Sequence, residues 1–139
     1  MACSQANRFL ILGGGLMGLS LAYALAKKGL KVEVVNRRRS EAAGFVAAGM
    51  LAPHAEGLHN PLLKLGQLSL SIIPDWVEQI EKDSGINCGL NFCGIVVPFQ
   101  TQSERDNFPT ASFGQKLDRA LLEKEMPGLA SQWQYGLFF

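Results

Sequence analysis

Residues 8–18 read RFLILGGGLMG, and no other stretch restricts the folding of this chain as much. Residues 8–12, RFLIL, are apolar after the first position, the pattern of a short strand in a parallel sheet covered on both faces. Residues 16–28, LMGLSLAYALAKK, are rich in Ala and Leu and predict a helix, with Gly29 as a natural stop. Residues 31–35, KVEVV, predict a second strand. Strand, glycine turn, helix and strand in this order make a βαβ unit, whose crossover is right-handed.

Gly13, Gly15 and Gly18 have the spacing G-x-G-x-x-G, and each position has its own physical reason. Gly13 permits the tight turn out of the strand. Gly15 lets a pyrophosphate approach the backbone with no β-carbon in the way, and Gly18 lets the helix pack close to the strand. The start of the helix then offers unpaired N–H groups and a partial positive charge, which hold a phosphate without a basic side chain. Alone the spacing is weak. Between a strand and a helix, with a second strand at the right distance, it points to dinucleotide binding. The competing reading is a tight turn with no ligand. The end of the second strand usually carries an Asp or Glu for a ribose hydroxyl. Here Asn36 stands there, followed by Arg37, Arg38 and Arg39. A carboxamide can bond a ribose hydroxyl as donor or acceptor but lacks the charge. Arginines would instead suit a 2′-phosphate. The turn by itself leaves FAD, NAD and NADP open.

Composition narrows the class. With 47% hydrophobic and 18% charged residues in 139, the chain reads as globular and large enough for one core. A net charge of +1 gives no sign of nucleic acid or an anionic membrane surface as partner. The three cysteines, Cys3, Cys88 and Cys93, form no paired framework, which fits a reducing compartment and the cytoplasm. With only His54 and His59 beside them, no structural zinc spacing is present. Residues 9–30 are apolar but broken by glycines and followed by Lys27 and Lys28 within the run, so they read as neither export signal nor membrane span.

Residues 45–57, FVAAGMLAPHAEG, are small, apolar and almost uncharged, and predict a loop or an irregular short helix. Residues 62–82 look helical, with Leu65, Leu68, Ile72, Trp76 and Ile80 at helical spacing. Pro74 interrupts the pattern and predicts a kink or two helices, before Asp83-Ser84-Gly85 ends the segment. Residues 92–99, FCGIVVPF, read as a strand and 102–108 as a short helix. Asp118 is placed to cap a helix over 119–125 that stops at Pro127-Gly128. The chain contains no internal repeat.

GGGLMGLSLAYALAKKGLKVEVV followed by AAGMLAPHAEG resembles the D-amino-acid-oxidase superfamily of flavoproteins, and within it the glycine oxidases of thiamine biosynthesis (ThiO). NFCGIVVPF and LLEKEMPGL sit where that family has a strand of its substrate domain and a helix end. The resemblance covers nearly the whole chain, and AAGMLAPHAE is its specific part. It implies an α/β fold. Residues 1–60 would be the amino-terminal part of an FAD-binding, Rossmann-like domain, and 61–139 a helical segment and the start of an α+β substrate-binding domain. It implies FAD contacts at Leu16, Met17, Asn36, Arg37, Ala43, Gly44, Ala48, Gly49 and Met50, beside Gly13, Gly15 and Gly18. Small residues at Ala47, Ala48 and Gly49 would let a flat isoalloxazine and its pyrophosphate reach the backbone, with Met50 as a polarizable wall. The alternative is a small-residue packing loop. His54 and Glu56 read as structural, and no catalytic residue is assigned.

The activity implied is oxidative deamination of glycine or another small amino acid to an imine and oxo acid, with ammonia and hydrogen peroxide. The partners implied are that amino acid and, when the protein is complete, a homo-oligomer. Family members are much longer, only two parallel strands are visible here, and the chain ends on the apolar GLFF. The expectation is therefore an amino-terminal portion, inactive alone. Two other readings stand beside it: an FAD-binding remnant or module that needs a partner chain, and a single-domain NAD(P)-dependent dehydrogenase.

Overall fold

The computed structural model describes residues 8–139, so Cys3 lies outside the described residues. The chain divides into two units, Met1–Met50 and Leu51–Phe139. In the first, strand β1 (Arg8–Leu12), helix α1 (Leu16–Lys27) and strand β2 (Lys31–Val35) follow the expected order. β1 and β2 pair in parallel, from Arg8 opposite Lys31 to Leu12 opposite Val35. α1 ends because Gly29 takes a left-handed φ of 76°. Its N–H reaches the Ala26 carbonyl at 2.8 Å, and Leu30 N–H reaches Leu25 at 3.2 Å, which satisfies carbonyls the helix leaves open. The expected burial of β1 on both faces is not seen. Ile11 lies toward α1, but Leu12 is 78% exposed and Leu10 is exposed too. A single helix covers only one face of a two-stranded sheet.

Beyond β2 come two single 3-10 turns, Arg39–Glu41 and Ala43–Phe45, and then the irregular run that closes the unit.

The second unit holds α2 (Leu62–Ser84), β3 (Val96–Phe99), α3 (Gln102–Asp106), β4 (Gln115–Leu117), α4 (Arg119–Glu125) and β5 (Tyr135–Phe138). Its sheet is antiparallel in the order β3-β5-β4. α2 is one helix of 23 residues with Pro74 inside it, not two. The ring removes only the donor that would meet the Leu70 carbonyl, and the ladder resumes around it. The expected apolar face of α2 is only partly covered: Leu65, Leu68 and Ile72 are exposed, Trp76 and Ile80 half-buried.

The expected strand over 92–99 is shorter, beginning at Val96, because Gly94 has a φ of 72° and breaks the extended run. α3 stops at Asp106, two residues before the expected end; Thr101 and Glu104 form a reciprocal cap at its start. α4 has the expected bounds, with the Asp118 carboxylate accepting from Leu121 N–H at 2.9 Å.

The apolar end GLFF is not an exposed tail. It belongs to the central strand, with Leu137 fully buried and Gly136 buried beside it. Leu122 of α4 lies directly over Gly136: a β-carbon there would stand 2.6 Å from Leu122 Cδ2. Leu117, Leu122, Leu137 and Phe99 form the buried apolar centre. Arg105 is buried at its edge. Its Nε donates to Asp106 Oδ1 at 2.9 Å, and its guanidinium lies 5.3 Å from the centre of the Tyr135 ring. Arg105 and Lys116, the latter also 2.9 Å from Oδ1, hold the Asp106 carboxyl well below its usual range, at about 2.

His54 and Glu56 lie near this sheet's packing. His54 stacks on Phe113 with ring centres 4.8 Å apart, and its Nε2 is 3.2 Å from Gln67 Nε2. The fully buried Thr110 hydroxyl donates to the His54 carbonyl. These contacts give His54 a packing role. Glu56 is exposed.

Candidate functional site

The glycine turn joins β1 to α1. Gly13 takes a φ of 111°, a conformation that side chains rarely adopt, and its N–H donates to the Val35 carbonyl at 2.8 Å. The turn is thereby fastened to the end of β2. Gly15 is the residue before the helix, with extended backbone, and has no side chain to cap the first N–H groups. The first turn of α1 also carries no acidic residue. Its N–H groups and the positive end of the helix dipole therefore have no anionic neighbour of their own. A β-carbon on Gly15 would meet nothing nearer than Ala42 Cβ at 4.0 Å, so the space above it is open.

Gly18 has a different reason. A β-carbon there would stand 1.9 Å from the Gly13 carbonyl oxygen, an impossible approach. Only glycine lets α1 start this close to the turn that precedes it.

Leu16 and Met17, in the first turn of α1, are exposed, Met17 at 83%. Asn36 follows β2 directly. Its side chain lies against Gly14, where a β-carbon would stand 3.1 Å from Asn36 Cβ and Cγ. Arg37 donates to Glu41 at 2.7 Å and Arg38 to the same carboxylate at 2.8 Å. Ala43 and Gly44 form the second 3-10 turn. Ala48, Gly49 and Met50 follow in irregular backbone, with Gly49 at a φ of 79° and Met50 exposed. Among the described residues no backbone hydrogen bond ties these three to the glycine turn.

The structure thus brings Gly13, Gly15, Gly18 and Asn36 together and sets Leu16 and Met17 beside them. It adds two residues that the G-x-G-x-x-G spacing does not name. Gly14 is buried under Asn36, and Ala42 faces Gly15. The run of three glycines was the available signal for Gly14; nothing in the sequence marked Ala42. An uncapped helix start, an open approach at Gly15 and a polar side chain at the end of β2 suit the pyrophosphate and ribose of a dinucleotide cofactor. Among the described residues no group of three metal-ligating side chains is present, and no helix is long and apolar enough to cross a membrane.

Comparison with known proteins identifies the family. Residues 8–139 match the family described as FAD dependent oxidoreductase, DAO. The bifunctional protein ThiO/ThiG of Synechocystis sp. is 40% identical over 123 residues, 86% of this chain and 18% of that protein. The glycine oxidase of Geobacillus kaustophilus is 30% identical over 99 residues, 70% of this chain and 26% of that one. The crystal structure of glycine oxidase from the same organism superposes with a TM-score of 0.84 at 26% identity, over 95% of this chain and 39% of that one. This chain therefore spans well under half the length of these relatives. With a family match running through both units, the chain belongs to the FAD dependent oxidoreductase (DAO) family.

Proposed function

We propose that the chain binds FAD through the glycine turn and the end of β2, as the nucleotide-holding part of a glycine oxidase-like amino-acid oxidoreductase. The supporting observation is the Gly18 approach, which seats the start of α1 on the turn and leaves its N–H groups open for a pyrophosphate. In this reading residues 1–60 belong to the FAD-binding domain, and 61–139 to the helical segment and the start of the substrate-binding domain.

Gly13, Gly15 and Gly18 keep the pyrophosphate path free of side chains. Leu16 and Met17 present the first helical N–H groups. Asn36 bonds the adenosine ribose, and Arg37 lies beside it. Ala43, Gly44, Ala48, Gly49 and Met50 line the path onward with small or apolar surface. When bound, FAD supplies two-electron oxidation of an amine at its α-carbon, with oxygen as final acceptor. The substrate is glycine or a similarly small amino acid, and the products are an imine and oxo acid, ammonia and hydrogen peroxide. No residue of this chain is assigned a proton-transfer role.

A second reading is a cofactor-binding module that works only with another polypeptide. The exposed Leu10, Leu12 and Val35 of the two-stranded sheet favour it, since such surface normally has a cover.

The test is an absorbance spectrum of the purified chain after incubation with FAD and desalting. Retained bands near ~450 nm, where oxidised flavin absorbs, support binding. A colourless product with folded circular dichroism refutes it. Bleaching by glycine without oxygen then separates an oxidase from a binding module.

A further inference from the structure

Two of the three cysteines lie in one short connection, the run 85–95 between α2 and β3, and the glycine-turn site uses neither. Cys88 and Cys93 are free thiols, and both are exposed. Each stands directly before a glycine with left-handed backbone, Gly89 at a φ of 71° and Gly94 at 72°. The two ends of the connection are held differently. Gly94 lies under the Phe138 ring, and Ile95 exchanges two backbone hydrogen bonds with Phe139, both of 3.0 Å, so Cys93 has fixed neighbours. The Cys88 backbone is held by one side chain, its N–H donating to Glu81 Oε1 at 2.6 Å. Among the described residues, 86–94 take part in no backbone-to-backbone hydrogen bond. A β-carbon on Gly89 would meet nothing within 4 Å. Of the residues between the two cysteines only Leu90 is half-buried, and Phe92 is 80% exposed.

We propose that Cys88 and Cys93 are a reversible thiol pair that closes into a disulfide on oxidation by peroxide. The oxidant is hydrogen peroxide, a product of the amino-acid oxidation proposed for this chain, and the thiol chemistry stands without that reading. Five residue steps span at most roughly 17 Å when extended, and the turn at Gly89 folds the chain back toward the roughly 4.4–6.8 Å between α-carbons that a disulfide needs. Only the Cys88 half has to move, against one hydrogen bond. One sulfur, as thiolate, attacks a peroxide oxygen; the O–O bond breaks, hydroxide leaves and takes up a proton as water, and a sulfenic acid remains. The second sulfur gives up its proton and attacks the first; the S–O bond breaks and a second water leaves. The two sulfurs lose two electrons, which reduce one peroxide to two waters. A small thiol restores both groups by exchange, and exposure makes such a bond easily reduced, the behaviour of a sensor and not of a structural staple. Leu90 and Phe92 lie between the sulfurs and line, with Pro74, Val77 and Glu81 of α2, a groove of about 260 Å³, so closure reshapes that groove.

The experiment treats the reduced 139-residue chain with hydrogen peroxide, blocks the remaining thiols with N-ethylmaleimide and maps tryptic peptides by mass spectrometry. Both cysteines fall in the peptide 83–105, since no Lys or Arg stands between Lys82 and Arg105. That peptide should become lighter by two hydrogen atoms and carry no maleimide, and dithiothreitol should reverse the change. Because closure is intramolecular, the closed fraction should hold on about tenfold dilution of the chain. Chymotryptic cleavage after Phe92 should slow several-fold in the closed form, whose loop no longer fits the protease as an extended segment. Cys88→Ser and Cys93→Ser should each abolish the link and leave the other sulfur as a sulfenic acid that dimedone traps. The pairing is overturned if a folded chain takes both sulfurs to sulfinic acid without a link, or if links form only between chains or to Cys3. Unchanged cleavage after Phe92 in the closed form overturns the reshaping of the groove. Failure of FAD binding or of glycine oxidation is read in separate assays and changes none of these results.

Discussion

Gly18 offers the sharpest handle on the site, because its effect follows from one measured approach. In Gly18→Ala the new β-carbon would lie 1.9 Å from the Gly13 carbonyl oxygen and 3.0 Å from its carbonyl carbon. A carbon and an oxygen need roughly 3.2 Å, so something must move by about 1.3 Å. The oxygen cannot swing aside freely. Gly13 is in a left-handed conformation and is tied to Val35 through its N–H. The start of α1 must therefore lift off the turn. Overpacking of this kind costs about 1–3 kcal/mol. A lift of that size also stretches an N–H to phosphate bond past its useful range. A lost bond to a charged group costs about 1.5–3 kcal/mol, so FAD affinity falls roughly 10- to 150-fold. Gly44→Ala is the stability control, since a β-carbon there meets nothing within 4 Å and the backbone is not left-handed. Urea unfolding of both variants and flavin fluorescence titration of Gly18→Ala give the two quantities, Gly44 itself being among the residues proposed to line the FAD path. Gly18→Ala with wild-type stability and wild-type FAD affinity would show that α1 does not sit on the turn as described.

Three further outcomes follow from the second unit. Gly136→Ala drives a β-carbon to 2.6 Å from Leu122 Cδ2 in a fully buried contact, and should cost about 1–3 kcal/mol in urea unfolding; a neutral effect would contradict the packing of α4 on β5. Arg119 donates to the carbonyls of Leu129 at 2.8 Å, Trp133 at 3.0 Å and Ala130 at 3.2 Å and also pairs with Glu123, so Arg119→Ala should free the 127–134 segment and raise its cleavage by a nonspecific protease several-fold. Unchanged cleavage would mean the clamp is idle. Asp106 is held at about 2 by Arg105 and Lys116, below its unfolded value near ~3.9. Its contribution to stability is thus complete above the unfolded value and is lost as pH falls through about 2; carbon-detected NMR should find that low midpoint, and a midpoint near ~4 would refute the cluster.

Much of the first unit was legible from the sequence because its information is local. The glycine spacing, the Ala- and Leu-rich run and the two short strands all lie within 28 residues, from Arg8 to Val35. Glycines beside the elements set their bounds, Gly13 after β1, Gly15 before α1 and Gly29 after it. α4 was legible for the same reason: Asp118 caps it from the adjacent position. The site was legible where backbone conformation demands glycine. It was not legible where a side chain comes from another element. The contact of Asn36 with Gly14 and the position of Ala42 opposite Gly15 depend on how the chain returns from β2, and no local pattern encodes that.

The second unit shows the opposite case. β5 is a four-residue strand containing a glycine, a poor strand signal by composition, and its partners begin at Val96 and Gln115. Read alone, GLFF looks like surplus apolar surface. It becomes a central strand only because β3 and β4 flank it and α4 lies over it. Gly136 makes that possible, since Leu122 occupies the space where a side chain would project. The same logic explains the misplaced start of β3. FCGIVVPF is continuous in hydrophobicity, but Gly94 lies under the Phe138 ring, where a β-carbon would stand 2.3 Å from Cζ. A glycine that reads locally as a defect in a strand is here the seat for a ring from 44 residues later. The residues that look weakest by propensity therefore mark the long-range contacts that build this sheet.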